Sequence, residues 1–179
     1  MEKFILLSGK LLDLTISRLC QQLIENHLDF HNSVMVGMQP RGRFFASRIC
    51  KKLYELQGIK IPLGELDTTF YRDDFRRREI DTKANATYMP FVIEGKSVIL
   101  VDDVLYTGRT IRAALSALAE FGRPKEVELL VLVDRIYSRD LPIQPNYVGK
   151  AVDTVLTQRV LVEWTEQGAE KDIISLVTK

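Results

Sequence analysis

Cysteine, histidine and tryptophan are scarce in this 179-residue chain, which has two cysteines, two histidines and one tryptophan. Cys20 and Cys50 lack the spacing of metal ligands, so we expect reduced core thiols and no zinc site or disulfide framework. No apolar run is long enough to cross a membrane. Acidic Glu2 precedes the short apolar stretch at the start, which argues against a signal peptide. These absences favour a soluble, cytoplasmic protein with no membrane partner.

An excess of charge is also missing, because 25 basic side chains are balanced by 24 acidic ones. Such a chain has no overall attraction to nucleic acid, so an RNA-binding surface would have to be a local patch. The sequence also lacks the Walker A pattern and the Rossmann G-x-G-x-x-G fingerprint, which excludes those two phosphate-binding loops.

The sequence does contain a repeated alternation of helical and strand periodicity. Apolar residues recur at helical spacing between Leu12 and Ile24, in a helix that ends near His27, and again between Phe45 and Leu56, before Gly58. A third helix is predicted at residues 111–121, and β-type runs occur at residues 34–38, 61–69, 98–101, 127–133, 147–148, 160–164 and 173–177. This alternation predicts one α/β domain, residues 1–179, in which helices cover both faces of a mostly parallel central sheet.

The most informative segment is residues 98–110. Four aliphatic residues suit a buried parallel strand, and Asp102 and Asp103 follow at its carboxyl end, where ligands bind in such sheets. The small, hydroxyl-rich turn that contains Thr107, Gly108 and Thr110 then leads into a helix, so its N–H groups can hold a phosphate.

The adjacent acids therefore need another partner, because two neighbouring carboxylates repel each other unless a ligand or cation uses them. The vicinal hydroxyls of a ribose are the simplest choice. The alternative is an ordinary strand-to-helix connection in which Asp102 and Asp103 are merely solvated and Thr107 caps the helix.

Residues 98–110 closely resemble the phosphoribosyl diphosphate (PRPP) signature of the type I phosphoribosyltransferases. Residues 101–110 are similar to those of the PyrR group, uracil phosphoribosyltransferases that also regulate pyrimidine operons by binding messenger RNA. Residues 64–67, 71–74, 131–135, 141–143 and 147–150 support this resemblance. It implies the type I phosphoribosyltransferase fold with a hood or lid region, synthesis of UMP from uracil and PRPP, and a homodimer or higher homo-oligomer.

The resemblance also implies a set of site residues. Asp102, Asp103 and Arg41 are expected to be catalytic, and Gly42 would allow the backbone beside Arg41 to approach the diphosphate closely. Mg²⁺ would bind mainly through the diphosphate, without a dedicated protein site. A plain turn with an exposed arginine is the alternative for this loop. The residues expected to bind PRPP are Pro40, Arg41, Val101, Asp102, Asp103, Val104, Leu105, Tyr106, Thr107, Gly108, Arg109 and Thr110.

The polar insertion from about residue 70 to 88 is similar to the mobile hood of the family. Arg72, Asp73 and Asp74 would belong to a lid that keeps water from the sugar cation, and a solvated charge run is the alternative for residues 76–78. Asp134, Arg135 and Val152 are expected to line the base pocket. A surface ion pair of Asp134 and Arg135 is the alternative.

The RNA-binding function is less well supported. Arg18 and Lys150 fit the family's basic surface, but neutral residues occupy other positions where relatives tend to carry His or Arg, namely Gln21, Asn26, Tyr137 and Gln144. Losing cations weakens RNA binding, so catalysis ranks above attenuation of a messenger RNA leader. His27 and His31 are expected to be exposed. Two alternatives remain open: an RNA-binding attenuator that uses the PRPP site as a nucleotide sensor, and a purine phosphoribosyltransferase.

Overall fold

The computed structural model describes residues 3–72 and 85–178. Eight strands and three α-helices occur in these residues, together with short 3-10 turns. In chain order they are β1 (Lys3–Ser8), α1 (Gly9–His27), β2 (Ser33–Met38), α2 (Gly42–Gln57), β3 (Leu63–Leu66), β4 (Ser97–Leu105), α3 (Arg109–Leu118), β5 (Glu126–Ile136), β6 (Tyr147–Asp153), β7 (Gln158–Glu163) and β8 (Ile173–Thr178).

Five strands form a central sheet in the order β3-β2-β4-β5-β6, and every neighbouring pair is parallel. Its middle strands are apolar on both faces, and all six residues of β2 are buried. One apolar core joins the sheet to α1 and α2, and a second joins the opposite face to α3. The predicted fold class is confirmed, because parallel strands covered on both faces by helices are what the alternating periodicity requires.

A small antiparallel sheet in the order β1-β8-β7 lies outside the central sheet. Trp164 directly follows β7; it is fully buried and stacks on Phe45 of α2 at a centroid distance of 6.4 Å. The guanidinium of Arg48 lies 4.6 Å from the Trp164 ring. This sheet is therefore anchored to α2 by aromatic and cation–π packing. Sequence periodicity did not predict β1, because its four consecutive apolar residues, 4–7, do not alternate with polar ones.

Three strands, β4, β5 and β6, extend well beyond their predicted bounds. β4 continues through the acid pair to Leu105, because β5 is equally extended and the ladder goes on through Val104 beside Val133. β3 is shorter than predicted. Asp67 ends it by accepting hydrogen bonds from the backbone N–H and hydroxyl of Thr69, at 2.9 and 2.6 Å, and such an Asx turn competes with the strand.

The expectation of an exposed His27 is wrong. Its side chain is only 7% exposed and bridges Ser33 at 2.9 Å and Glu128 at 2.7 Å, because the end of α1 packs over the start of β2 and β5. Cys20 and Cys50 are both free, and burial raises the pKa of each thiol to about 12. No helix within the described ranges has both the length and the apolar character that a membrane crossing requires.

Candidate active site

Asp102 and Asp103 lie near the carboxyl end of β4 and are 9% and 6% exposed. One oxygen of each carboxylate accepts a hydrogen bond from the next backbone N–H, in both cases at 2.9 Å. The second oxygen of Asp103, Oδ2, is buried and makes no hydrogen bond, although Arg41 Nε lies 3.0 Å away as an ionic neighbour. A buried acceptor of this kind is costly unless a ligand completes it.

The two carboxylates differ electrostatically. Burial, and then the charge of Asp103, raise the pKa of Asp102 well above its usual value, while the charge of Arg41 opposes this shift. A carboxyl whose pKa is raised by folding stabilises the fold while it is protonated. That contribution is complete below the unfolded pKa and is lost as pH rises through the folded pKa. Ionised Asp102 therefore opposes folding above the ordinary aspartate pKa, as expected of a site that awaits a ligand.

Arg41 is placed by the start of α2, which approaches β4 closely at Gly42. A Cβ atom on Gly42 would lie 2.6 Å from the carbonyl oxygen of Val101 and 3.0 Å from the Cα of Asp102. Only glycine fits there, because both neighbouring atoms belong to the backbone. This contact holds the Arg41 loop against the acid pair.

Residues 106–110, which we call the phosphate turn, join β4 to α3. Gly108 has φ of +88° and forms the N-cap of α3, a backbone conformation that favours glycine. The N–H of Arg109 lies 3.4 Å from the Thr107 hydroxyl. The turn thus ends at a helix N-terminus, the kind of place where backbone N–H groups bind phosphate.

A cavity of about 470 Å³ connects these parts. It contains Asp102, Asp103, Val104, Tyr106 and Thr110 from β4 and the phosphate turn. From other parts of the chain it contains the predicted residues Pro40, Arg41, Arg72 and Arg135. Val101 and Leu105 lie below it, buried in the sheet. The predicted lid residues Asp73 and Asp74, and the charge run at residues 76–78, fall outside the described residues.

Sequence reasoning assigned no site role to several residues that line this cavity. Asp67, Thr68 and Thr69 follow β3, and Arg159 and Val160 lie on β7. The 64–67 stretch supported the family resemblance and could have pointed to Asp67. No local pattern marks Arg159 or Val160, because the small sheet brings them to the cavity.

Arg135 and Asp134, both predicted to bind the nucleobase, have different hydrogen-bond partners. Arg135 lines the cavity, and its guanidinium lies 3.8 Å from the Tyr106 ring and donates to Thr154 Oγ1 and the carbonyl of Gln158, at 2.9 and 3.0 Å. Burial lowers the pKa of Arg135. The carboxylate of Asp134 instead pairs with Arg139. The alternative of a surface ion pair between Asp134 and Arg135 is therefore wrong, because both are buried and each has other partners.

Other predicted residues lie further away. Val152 is buried in β6, and Lys150 is half-buried in the same strand. Arg18 donates to the carbonyl oxygens of Val148 and Gly149, the latter at 2.6 Å. Its guanidinium is thus committed to β6, at the edge of the central sheet.

The carboxylates are hard oxygen donors of the type Mg²⁺ prefers. In the part of the chain that the structure describes, three or more His, Cys, Asp or Glu side chains do not group closely enough to hold a metal ion. The acid pair can therefore contribute one or two ligands, and a Mg²⁺ ion would need phosphate oxygens or water for the rest.

Comparison with known proteins agrees with this geometry. Residues 6–165 match the family model described as the phosphoribosyl transferase domain. The chain is 45% identical over 161 residues to the bifunctional protein pyrR of Enterococcus faecalis, covering 89% of each. It is 44% identical over 177 residues to the bifunctional protein PyrR of Elusimicrobium minutum, covering 99% of this chain and 98% of that protein.

Solved structures agree at the level of the fold. A hypoxanthine phosphoribosyltransferase from Staphylococcus aureus superposes with a TM-score of 0.72 at 19% identity, covering 98% of this chain and 92% of that one. The hypoxanthine phosphoribosyltransferase of Trypanosoma cruzi has a TM-score of 0.72 at 16% identity, covering 98% of this chain and 97% of that one. Similarity at this identity concerns the fold alone, so it does not favour a purine substrate.

Proposed function

The chain belongs to the phosphoribosyltransferase family and, within it, to the PyrR group, and on this basis we propose that it makes UMP and diphosphate from uracil and PRPP. The observation that carries the proposal is the unsatisfied Oδ2 of Asp103, buried beside Arg41 at the end of β4. A ribose hydroxyl would donate to this oxygen and remove its desolvation cost. The names of the curated relatives support the PyrR assignment, and the resemblance of residues 101–110 supports uracil.

The reaction breaks the bond between the anomeric carbon of ribose and diphosphate and forms one from that carbon to a ring nitrogen of uracil, which gives up its proton to the diphosphate or to water. Positive charge develops on the sugar and negative charge on the leaving group. Asp102 and Asp103 orient the ribose hydroxyls and stabilise the developing sugar cation. The phosphate turn holds the 5′-phosphate. Catalysis by such a site depends on positioning and fixed charges and needs no nucleophilic side chain.

The departing diphosphate lies beside Pro40 and Arg41 in this mechanism. The acid pair would offer at most one or two ligands to a Mg²⁺ ion, which would supply charge neutralisation for the diphosphate. Arg41 adds a fixed positive charge that is already 3.0 Å from Asp103. When the diphosphate binds, Arg41 contacts both the diphosphate and Asp103. It thereby connects the diphosphate site to the ribose site.

The base occupies the side of the cavity that faces the small sheet, where Arg135, Arg159 and Val160 meet. Arg135 is held by the loop after β6 and by the Tyr106 ring, so its position is well defined. Asp134 and Val152 are buried in the neighbouring strands β5 and β6, and the resemblance to the family supports a role for them in the base pocket. Arg72 contributes to a lid over the cavity that excludes water from the sugar cation.

The direct test is to measure nucleotide formation from PRPP and Mg²⁺ with uracil, hypoxanthine, guanine and orotate in parallel. We expect turnover with uracil that exceeds turnover with each other base by at least about 100-fold, because a site built to hydrogen-bond one base leaves polar groups unpaired with another. Faster turnover with hypoxanthine or guanine would establish the purine alternative. Absence of turnover with all four bases would overturn the enzymatic proposal.

A second candidate function is binding of a pyrimidine-operon messenger RNA leader, which the resemblance of residues 101–110 to the PyrR group supports; the curated relatives are named bifunctional. The commitment of Arg18 to the carbonyls of Val148 and Gly149 counts against strong binding. We expect weak binding with a shallow dependence on salt, because neutral residues stand at several positions where relatives tend to carry His or Arg. Titration of a leader RNA at two salt concentrations measures both quantities. Tight binding with a steep salt dependence would place RNA binding above catalysis as the main function.

The homo-oligomer stays a prediction.

A further inference from the structure

The segment after β5, residues 137–143, wraps the back of the phosphate turn, and we call it the brace. The carbonyl oxygen of Tyr106 accepts a hydrogen bond from Arg139 Nη1 at 2.6 Å. The carbonyl oxygen of Thr107 accepts from the backbone N–H groups of Asp140 and Leu141, at 3.0 and 3.3 Å. Both carbonyls at the start of the turn are thus bound by one segment.

The next two residues of the turn contact the brace as well. Arg109 Nε lies 2.9 Å from the carboxylate of Asp140. A Cβ atom on Gly108 would lie 3.3 Å from the side chain of Ile143, so this isoleucine packs against the glycine. Every residue from 106 to 109 therefore has a contact in the brace, and the turn owes its shape to that segment as well as to its own sequence.

Arg139 connects the brace to the sheet. Its Nη1 also donates to the carbonyl of Arg135 at 2.9 Å, and its Nε donates to the carbonyl of Ile143 at 3.0 Å. Its Nη2 pairs with the carboxylate of Asp134. The side chain is only 20% exposed. A guanidinium is required, because a lysine ammonium does not have the planar fork that reaches these separate acceptors at once.

These contacts determine where the N–H groups of the turn point. In a trans peptide the C=O of one residue and the N–H of the next point in opposite directions. Because the carbonyls of Tyr106 and Thr107 face the brace, the N–H groups of Thr107 and Gly108 face the other side of the turn. Donors fixed in this way before the ligand arrives make an anion site that needs little reorganisation.

We propose that Arg139 is a positioning residue for PRPP, which holds the carbonyl of Tyr106 and the brace so that the N–H groups of the phosphate turn face the 5′-phosphate. This inference rests on the proposed function, since it takes a ribose 5-phosphate group as the ligand of the turn. Arg139 itself touches neither the sugar nor the diphosphate.

The test compares Arg139→Met and Arg139→Lys with the matched control Arg48→Met. Arg48 is also a partly buried arginine, 23% exposed, with several acceptors, but it lies against Trp164 on the small sheet. Binding of ribose 5-phosphate is measured by calorimetry, and KM for PRPP and kcat are measured with uracil. Ribose 5-phosphate lacks both the base and the diphosphate, so its affinity reports on the turn and the acid pair.

We expect Arg139→Met to weaken ribose 5-phosphate binding and to raise KM for PRPP by about tenfold or more, the factor expected from losing one charge-assisted hydrogen bond. The value of kcat should fall less than KM rises. The ribose 5-phosphate affinity and the KM of Arg139→Lys should lie between those of Arg139→Met and the wild type. If the methionine variant does not fold, the lysine variant alone is compared with the wild type. Arg48→Met should lower the melting temperature without changing either affinity.

Unchanged affinity in both Arg139 variants, with a wild type that binds ribose 5-phosphate, would overturn the positioning role and leave the proposed function intact. A similar loss of affinity in Arg48→Met would also overturn it, because the effect would then be one of general stability. A wild type that neither binds ribose 5-phosphate nor turns over PRPP would overturn both proposals.

Discussion

Asp103→Asn is expected to lower kcat by about 100- to 1,000-fold, the usual effect of removing one preorganised charged group from a transition-state site. Asp103 pairs with Arg41 Nε at 3.0 Å and presents a buried oxygen without a hydrogen-bond partner. Asparagine preserves the shape of the side chain but removes the negative charge that stabilises the sugar cation. Its amide group can also present a donor where the ribose hydroxyl needs an acceptor.

Stability should respond differently from activity. The wild type has two neighbouring carboxylates in a buried position, so removing one charge relieves repulsion while it weakens the ion pair with Arg41. We expect the free energy of unfolding of Asp103→Asn to stay within about 1 kcal/mol of the wild-type value. Steady-state kinetics with PRPP and uracil, together with urea denaturation, measure the two effects. Wild-type activity in this variant would remove the ribose role assigned to the acid pair.

Asp102→Asn is the matched control, because Asp102 is the acid whose pKa is raised. Burial and the charge of Asp103 already disfavour a negative charge on Asp102, so the loss of kcat should be smaller than in Asp103→Asn. The wild-type unfolding free energy should fall as pH rises above the ordinary aspartate pKa and through the raised pKa of Asp102. The variant should lack this part of the pH dependence. Equal losses of kcat in the two variants would show that the acids act as an equivalent pair.

The parts of the site that the sequence predicted are those whose chemistry is local. Asp102 and Asp103 are adjacent in the chain, and Gly108 and Thr110 follow within the same turn. These residues form the same kind of binding site in any fold that places a strand before them and a helix after them. The long parallel sheet was predictable for a related reason, since its strands carry continuous apolar runs.

The parts that the sequence did not predict depend on contacts between distant residues. Arg139 binds the backbone carbonyls of Tyr106 and Ile143. Every residue has such a carbonyl, so no sequence pattern marks these two. Arg159 reaches the cavity only because β7 pairs with β8 in a separate sheet. The carboxylate of Asp134 pairs with Arg139, a partner that no local sequence pattern indicates. Side-chain identity alone does not reveal which partner a charged residue will find.

Gly42→Ala is expected to damage both the fold and the site. The added Cβ would meet the carbonyl oxygen of Val101 at 2.6 Å, so the start of α2 has to move away from β4. Overpacking against backbone costs about 1–3 kcal/mol of unfolding free energy. Because Arg41 directly precedes this contact, its guanidinium should shift relative to Asp103, and a displacement of that kind costs about 100-fold in kcat/KM.

Gly58→Ala is the control that separates the loss of stability from the loss of activity. Gly58 ends α2 with φ of +67°, and a Cβ there would meet no atom within 4 Å. Alanine in the left-handed region costs about 1–2 kcal/mol, so this variant should lose comparable stability and keep wild-type kcat/KM. Thermal denaturation and kinetics on the two variants give the comparison. If Gly42→Ala were as active as Gly58→Ala, the close approach of α2 to β4 would matter for folding alone, and Arg41 would not need its present distance from the acid pair.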